Sequence, residues 1–232
     1  MFRGGLALGA VVALLAVPAG ATGRPTPRPQ VPRSVLVAYA RVPNVAVFNG
    51  PTARTPRLTL ANPTSDRAML SFLVRAARPG WLHVFLPTRP NGSSGWIRSS
   101  QVRLYTDEYR LRIDLRLRRL TVWKRGLVTE RDRVGVGKAV TPTPAGTYYV
   151  VSRIQPTDPG SVYGRFAFGL SAHSDVYQSF GFGGDGRVGL HGTNDAATIG
   201  REVSHGCIRT TNPTILRLAR IIPLGTPVEI VR

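Results

Sequence analysis

The chain has 232 residues, 31 lysines and arginines against 12 aspartates and glutamates, a formal net charge of +19, and one cysteine. A single cysteine rules out an intramolecular disulfide and a multi-cysteine zinc module, and 42% apolar residues suffice to bury a core in one or two domains, which excludes wholesale disorder. The charge is almost all arginine, with Lys124 and Lys138 the only lysines, and it runs from Arg3 to Arg232 without a basic stripe, tail or recognition helix. That spread lacks the concentrated charge of a nucleic-acid binder and leaves a long-range field that attracts polyanions, whether nucleic acid, anionic lipid or acidic polymer, among which location decides.

At the N-terminus, Arg3 precedes an apolar run of 12 residues, Leu6 to Val17, then Pro18 and the small-x-small triplet Ala19-Gly20-Ala21. This is the pattern of a secretory signal peptide over residues 1–21, too short to span a bilayer comfortably. It predicts a secreted protein of the extracytoplasmic envelope whose membrane contact is limited to export, and that location leaves anionic wall polymers rather than nucleic acid as partners. Residues 22–34 carry four prolines between Thr22 and Pro32 and read as an extended tether.

From Val35 to about residue 106 the chain breaks into short β-type runs (VLVAYA, AMLSFLVRA, GWLHVFL, GWIR) separated by the turn clusters NGPT, NPTSD and RPNGSSG. That spacing predicts a small β-barrel-like domain, with His83 half-buried on one strand. A second block starts near Tyr109, where Leu111, Ile113, Leu115 and Leu117 alternate with arginines and Asp114, the period of a strand with one face buried. LTVWKRGLVTERDRVGVG predicts two strands about a turn at Lys124-Arg125-Gly126, and TPTPAGTYYVV a turn entering another strand. The one helix signal has Asn212 as N-cap, Pro213 at the first helical position and an apolar face of Ile215, Leu218, Ala219 and Ile222. The expected fold class is mainly β, a small barrel followed by a β-sandwich or barrel with one main helix.

The chemistry concentrates late in the chain. His173, His191 and His205 lie within 35 residues of Cys207, and LHGTNDAATIGREVSHGCIRTTN is the dense stretch. A thiol becomes a good nucleophile only when its surroundings favour the thiolate, so histidine beside cysteine is what cysteine catalysis requires. Gly206 lets the backbone turn sharply and aim amides at a developing oxyanion. Two other readings stay open on residues alone: an inert buried thiol, and a zinc site of Cys207 with His191, His205 and His173. The run GFGGDG at 181–186 matches a dinucleotide pattern but lacks a βαβ context, so neither a cofactor nor a metal is predicted.

LHGTN followed by SHGCIR, with His191 fourteen residues before His205, resembles the signature of the L,D-transpeptidase catalytic domain of bacterial cell-wall enzymes. The resemblance covers residues 109–232, including TPTPAGTY and the closing LGTPVEIV. It implies Cys207 as nucleophile, His191 as general base and acid, and the Gly192 carbonyl as the group orienting that imidazole. It implies His205 as support for the cysteine loop, and the amides of Gly206 and Cys207 as oxyanion donors. Arg209 would face the carboxylates of the peptide stem, with Ser204, Tyr177 and Asn212 also at the substrate. Residues from His173 to Gly189 would form a lid bearing Tyr177 or Phe180. The implied reaction is attack of Cys207 on a peptidoglycan tetrapeptide stem, loss of D-alanine, and transfer of the acyl group to an amine of a second stem. Water as acceptor would make the same site a carboxypeptidase, a fold kept only for wall binding is the non-enzymatic alternative, and carbapenem acylation of Cys207 follows from the same resemblance. The first block more weakly resembles a bacterial Src-homology-type barrel, and the chain is expected to act as a monomer.

Overall fold

The computed structural model describes Met1 and residues 32–158, 160–180 and 184–232. The signal-peptide expectation, most of the proline-rich tether and the first half of the GFGGDG run lie outside the described residues. The described residues from Pro32 to Arg232 form one compact unit, mainly β, and no helix among the described residues is long and apolar enough to cross a membrane.

The first block folds as seven strands: β1 (Val35–Ala40), β2 (Asn44–Phe48), β3 (Leu58–Ala61), β4 (Ser71–Arg78), β5 (Trp81–Phe85), β6 (Ser94–Arg98) and β7 (Val102–Asp107). They make one antiparallel sheet ordered β3-β2-β6-β5-β4-β1-β7. Its alternating apolar residues, among them Val45, Val47, Phe72, Leu82, Val84 and Ile97, form a separate core. His83 stacks on Trp96 at 4.9 Å, a half-buried role.

Only Glu108 separates β7 from the second sheet. That sheet contains β8 (Tyr109–Asp114), β9 (Arg119–Lys124), β10 (Leu127–Arg133), β12 (Gly146–Ile154), β13 (Ala167–His173), β14 (Arg187–His191), β16 (Ile208–Arg209) and β17 (Pro227–Val231), ordered β10-β9-β8-β17-β12-β13-β14-β16. The short β11 (Val136–Gly137) pairs with β15 (Glu202–Ser204) beside it. Leu111 and Ile113 point into the core as the alternation predicts, but the strand stops at Asp114, and Leu117 is exposed. The Asp114 carboxylate accepts the Leu117 N–H at 2.8 Å, a side-chain turn that captures the backbone before the alternation ends. The Lys124-Arg125-Gly126 turn forms as expected, with positive φ at Arg125 and Gly126, the twist that suits a two-residue hairpin.

The helix α1 (Asn212–Ile221) buries Ile215 and Leu218, and Ile222 is buried just beyond its end. Its N-cap is Thr211, not Asn212: the Thr211 hydroxyl accepts the Thr214 N–H at 3.3 Å, and Asn212 is already helical. Threonine can cap as asparagine does, and Asn212 is claimed elsewhere. Its side chain accepts the Arg165 N–H at 3.0 Å and donates to the Thr193 carbonyl at 2.9 Å, which ties the loop after β14 to the helix.

The two sheets meet through a small shared cluster of Leu73, Tyr149 and Val151, with Val35 and Phe85 against it. Tyr149 is fully buried and its hydroxyl donates to the Phe85 carbonyl at 3.2 Å.

Candidate active site

The parallel pairing of β14 with β16 builds the site. Leu190 lies opposite Ile208 and His191 opposite Arg209. Because side chains alternate along a strand, Gly189, His191, Cys207 and Arg209 share a face. Gly189 stands level with Cys207 and leaves a gap there: a Cβ on it would lie 3.6 Å from His191 Cδ2 and 3.9 Å from Cys207 Sγ. The Cys207 sulfur and the His191 imidazole therefore both border the space above Gly189, whose N–H donates to that sulfur at 3.4 Å. Sequence reasoning missed this residue. A glycine two before the histidine of LHG was the signal available.

His191 is 3% exposed. Its Nδ1 lies 2.6 Å from the Gly192 carbonyl oxygen, which can only accept, so Nδ1 carries the proton and Nε2 is left with a lone pair. Burial pushes the imidazole down to about 4, opposed by the Gly192 hydrogen bond and aided by the nearby Arg209 charge. The ring is accordingly neutral near pH 7. Burial also pushes the Cys207 thiol up, while the Gly189 N–H and Arg209 pull it down. The resting pair is therefore a thiol beside a neutral imidazole rather than a preformed ion pair. Tyr163 packs edge-on to His191 at 5.0 Å and was not anticipated.

The cysteine loop is braced from within. The Ser204 hydroxyl, expected at the substrate, accepts the Gly206 N–H at 3.1 Å and donates to the Cys207 carbonyl at 2.6 Å, and the residue is buried. The Gly206 amide, expected to serve an oxyanion, is thereby occupied. The Cys207 N–H donates to no group among the described residues. Thr143 donates to the Gly206 carbonyl at 2.9 Å and Thr141 to the Ser204 carbonyl at 3.1 Å, so the two threonines of TPTP clasp the loop.

Two clefts join at Cys207, His191, Tyr163 and Phe180. One, about 350 Å³, is lined by Tyr177, Ser179, His205 and Arg209. The other, about 330 Å³, is lined by Asp66, Asp185, Arg187 and the apolar Ile154 and Phe168. The Arg209 Nε is buried without a hydrogen-bond partner among the described residues. His205 is exposed and meets the Tyr177 ring edge-on at 5.8 Å, and Tyr177 meets Phe180 at the same separation. The side chain of Asn212, by contrast, is engaged in the loop contacts above. His173 sits apart with its Nε2 at 3.1 Å from Asp185, so the zinc alternative does not gather its ligands: among the described residues no group of three His, Cys, Asp or Glu side chains is placed to hold a metal. Antiparallel pairing of β13 with β14 around the GFGGDG run likewise gives no βαβ unit.

Residues 108–230 match the family model of the YkuD L,D-transpeptidase catalytic domain. Two Bacillus proteins named as L,D-transpeptidases, both called YkuD, are similar to the same half of the chain. That of Bacillus subtilis is 34% identical over 55% of this chain and 69% of its own, and that of Bacillus licheniformis 37% identical over 54% and 67%. Among solved structures, Bd1075 of Bdellovibrio bacteriovorus is 29% identical with a TM-score of 0.41, covering 53% of this chain and 47% of its own, so the chain spans about half of that relative. On the family match and the two curated relatives, the chain belongs to the L,D-transpeptidase catalytic-domain family.

Proposed function

We propose that the protein is an exported cysteine L,D-transpeptidase that cross-links peptidoglycan stems in the extracytoplasmic cell wall. The observation that carries the reading is the buried His191, its Nδ1 proton committed to Gly192 and its Nε2 free to accept, on the same strand face as Cys207. As the Cys207 sulfur attacks the carbonyl of the third stem residue, its proton passes to Nε2 of His191. The Cys207 N–H donates to the developing oxyanion. The Gly206 N–H could join only by giving up Ser204. The protonated imidazole then gives its proton to the departing amine of D-alanine, leaving a thioester on Cys207. An amine of a second stem loses a proton to His191, attacks the thioester and restores the thiol, so the cycle consumes no water and releases one D-alanine per bond formed. A neutral base and a neutral thiol at rest suit this sequence, since both charges appear only as attack proceeds.

Two clefts meeting at one sulfur support a two-substrate reaction. The cleft lined by Arg209 offers its guanidinium as a donor for a stem carboxylate. The cleft with Asp66 and Asp185, whose carboxylates face Arg187 at 4.0 and 2.7 Å, is left for the acceptor amine. An excess of 31 basic over 12 acidic side chains supports accumulation on carboxylate- and phosphate-rich wall. The test is to incubate the full chain with a tetrapeptide stem and an amine acceptor and to follow D-alanine and dimer together. Equal amounts support transfer, D-alanine without dimer marks the carboxypeptidase, and neither product leaves a wall-binding protein.

A further inference from the structure

The loop between β5 and β6 reaches out of the first sheet and grips the segment that crosses from β13 to β14. Arg89 Nη1 donates to the Ser174 carbonyl at 2.8 Å, and its Nη2 donates to the Tyr177 carbonyl at 2.8 Å and the Asp185 carbonyl at 3.2 Å. Asn91 donates to the His173 carbonyl at 2.7 Å and to the Asp175 carboxylate at 3.1 Å, and accepts the His173 N–H at 2.8 Å. Two side chains of the first sheet thus make six hydrogen bonds to both roots of the segment carrying Tyr177 and Phe180.

The receiving side is shaped for the guanidinium. Gly186 has φ +74, and a Cβ there would stand 2.7 Å from Arg89 Nη2 and against the Tyr177 carbonyl, so any other residue would expel the fork. The gripping loop is itself closed, by Leu86 N–H to the Ser93 carbonyl at 2.9 Å and by Ser93 to the Pro90 carbonyl through N–H at 3.1 Å and hydroxyl at 2.7 Å. A planar fork of donors on a closed loop fixes the segment in direction as well as distance.

We propose that Arg89 and Asn91 are positioning residues of the reaction, setting Tyr177 against His205 and Phe180 into the wall of the clefts that Cys207 shares, so that the first sheet is a working part of the catalytic apparatus and not only a spacer or wall anchor. The inference rests on the transpeptidase reading. Its chain of contact is short: the Tyr177 carbonyl held by Arg89 belongs to the residue whose ring packs on His205 and Phe180. Neither Arg89 nor Asn91 lines the two clefts, so the effect passes through the segment.

The test compares full-length wild type with Arg89→Ala, Arg89→Lys and Asn91→Ala in steady-state turnover of a tetrapeptide stem, alongside Cys207 alkylation by iodoacetamide and the NMR signal of the His205 ring. Arg89→Ala should raise KM for the stem about tenfold or more with kcat within about threefold, the pattern of lost uniform binding, while the alkylation rate changes less than about twofold. Lysine should not restore KM, because one ammonium cannot span three carbonyls arranged for a fork. Asn91→Ala should act in the same direction. The His205 ring signal should shift as Tyr177 leaves it. A KM within twofold of wild type in Arg89→Ala, whatever happens to kcat or thermal stability, overturns the proposal, as does a parallel fall of turnover and alkylation. If wild type turns over no stem, the transpeptidase reading fails instead, and the His205 signal decides positioning alone: displaced in Arg89→Ala it stands, unchanged it falls.

Discussion

Gly189→Ala separates the chemistry from the fold. Gly189 has no positive φ, and an added methyl would lie 3.4 Å from the Phe168 carbonyl oxygen, 3.6 Å from His191 Cδ2 and 3.9 Å from Cys207 Sγ, ordinary contacts that require no rearrangement. Alanine also removes freedom from the unfolded chain, so the variant should be as stable as wild type or about 0.4–1 kcal/mol more so, a Tm raised by roughly 1–4 °C. The methyl, however, fills the gap bordered by sulfur and imidazole. A reacting carbonyl must approach to about 3–3.5 Å of the nucleophile, and a displacement near 1 Å costs about 10²-fold, or about 2.7 kcal/mol of barrier. The backbone N–H that contacts the sulfur is kept. Scanning calorimetry with stem turnover on the same preparation is the assay. Wild-type turnover in Gly189→Ala, or lost turnover accompanied by a lower Tm, refutes the reasoning.

Burial holds His191 near 4 when folded against 6.5 in the open chain, so below 6.5 the unfolded state binds more protons and stability falls with pH. The contribution is intact above pH 6.5 and lost as pH drops toward 4, by roughly 3 kcal/mol in all; urea midpoints across this window should show the loss in wild type and much less of it in His191→Gln. Ser204→Ala leaves the buried Gly206 N–H and Cys207 carbonyl without their shared hydroxyl, costing about 1–3 kcal/mol, read as a Tm lower by roughly 3–10 °C with Cys207 still present for alkylation. Thr211→Ala should cost about 1 kcal/mol through the lost helix cap, while an unchanged Tm would return the cap to another residue. Arg209→Lys, which keeps the charge but not the fork, should raise KM for a stem ending in a free carboxylate and leave an amidated stem unaffected.

How much the sequence revealed depended on the range of the interactions. Period-two alternation found β8 because burial of Leu111 and Ile113 is a local pattern, and the arginine-glycine turn after Lys124 found the β9–β10 hairpin for the same reason. The alternation overran into Leu117 because hydrophobicity does not register the Asp114 side-chain turn. SHGCIR gives Ser204 and Gly206 outward roles, and only the folded loop shows that Ser204, although it lines the Arg209 cleft, also accepts the Gly206 N–H and donates to the Cys207 carbonyl. Asn212 looked like a cap because asparagine caps helices, but a partner nineteen residues away at Thr193 competes for the same amide. Arg89 and Asn91 left no trace, since nothing near them in the chain indicates that their acceptors lie more than eighty residues on.

The central claim is that Cys207 carries the acyl group. Intact-mass measurement of the full chain quenched during turnover of a tetrapeptide stem tests it most directly: wild type should gain the mass of the stem minus one free D-alanine, labile to hydroxylamine as a thioester is, and Cys207→Ala should gain nothing. An adduct that survives in Cys207→Ala, or turnover of stem by that variant, contradicts the account.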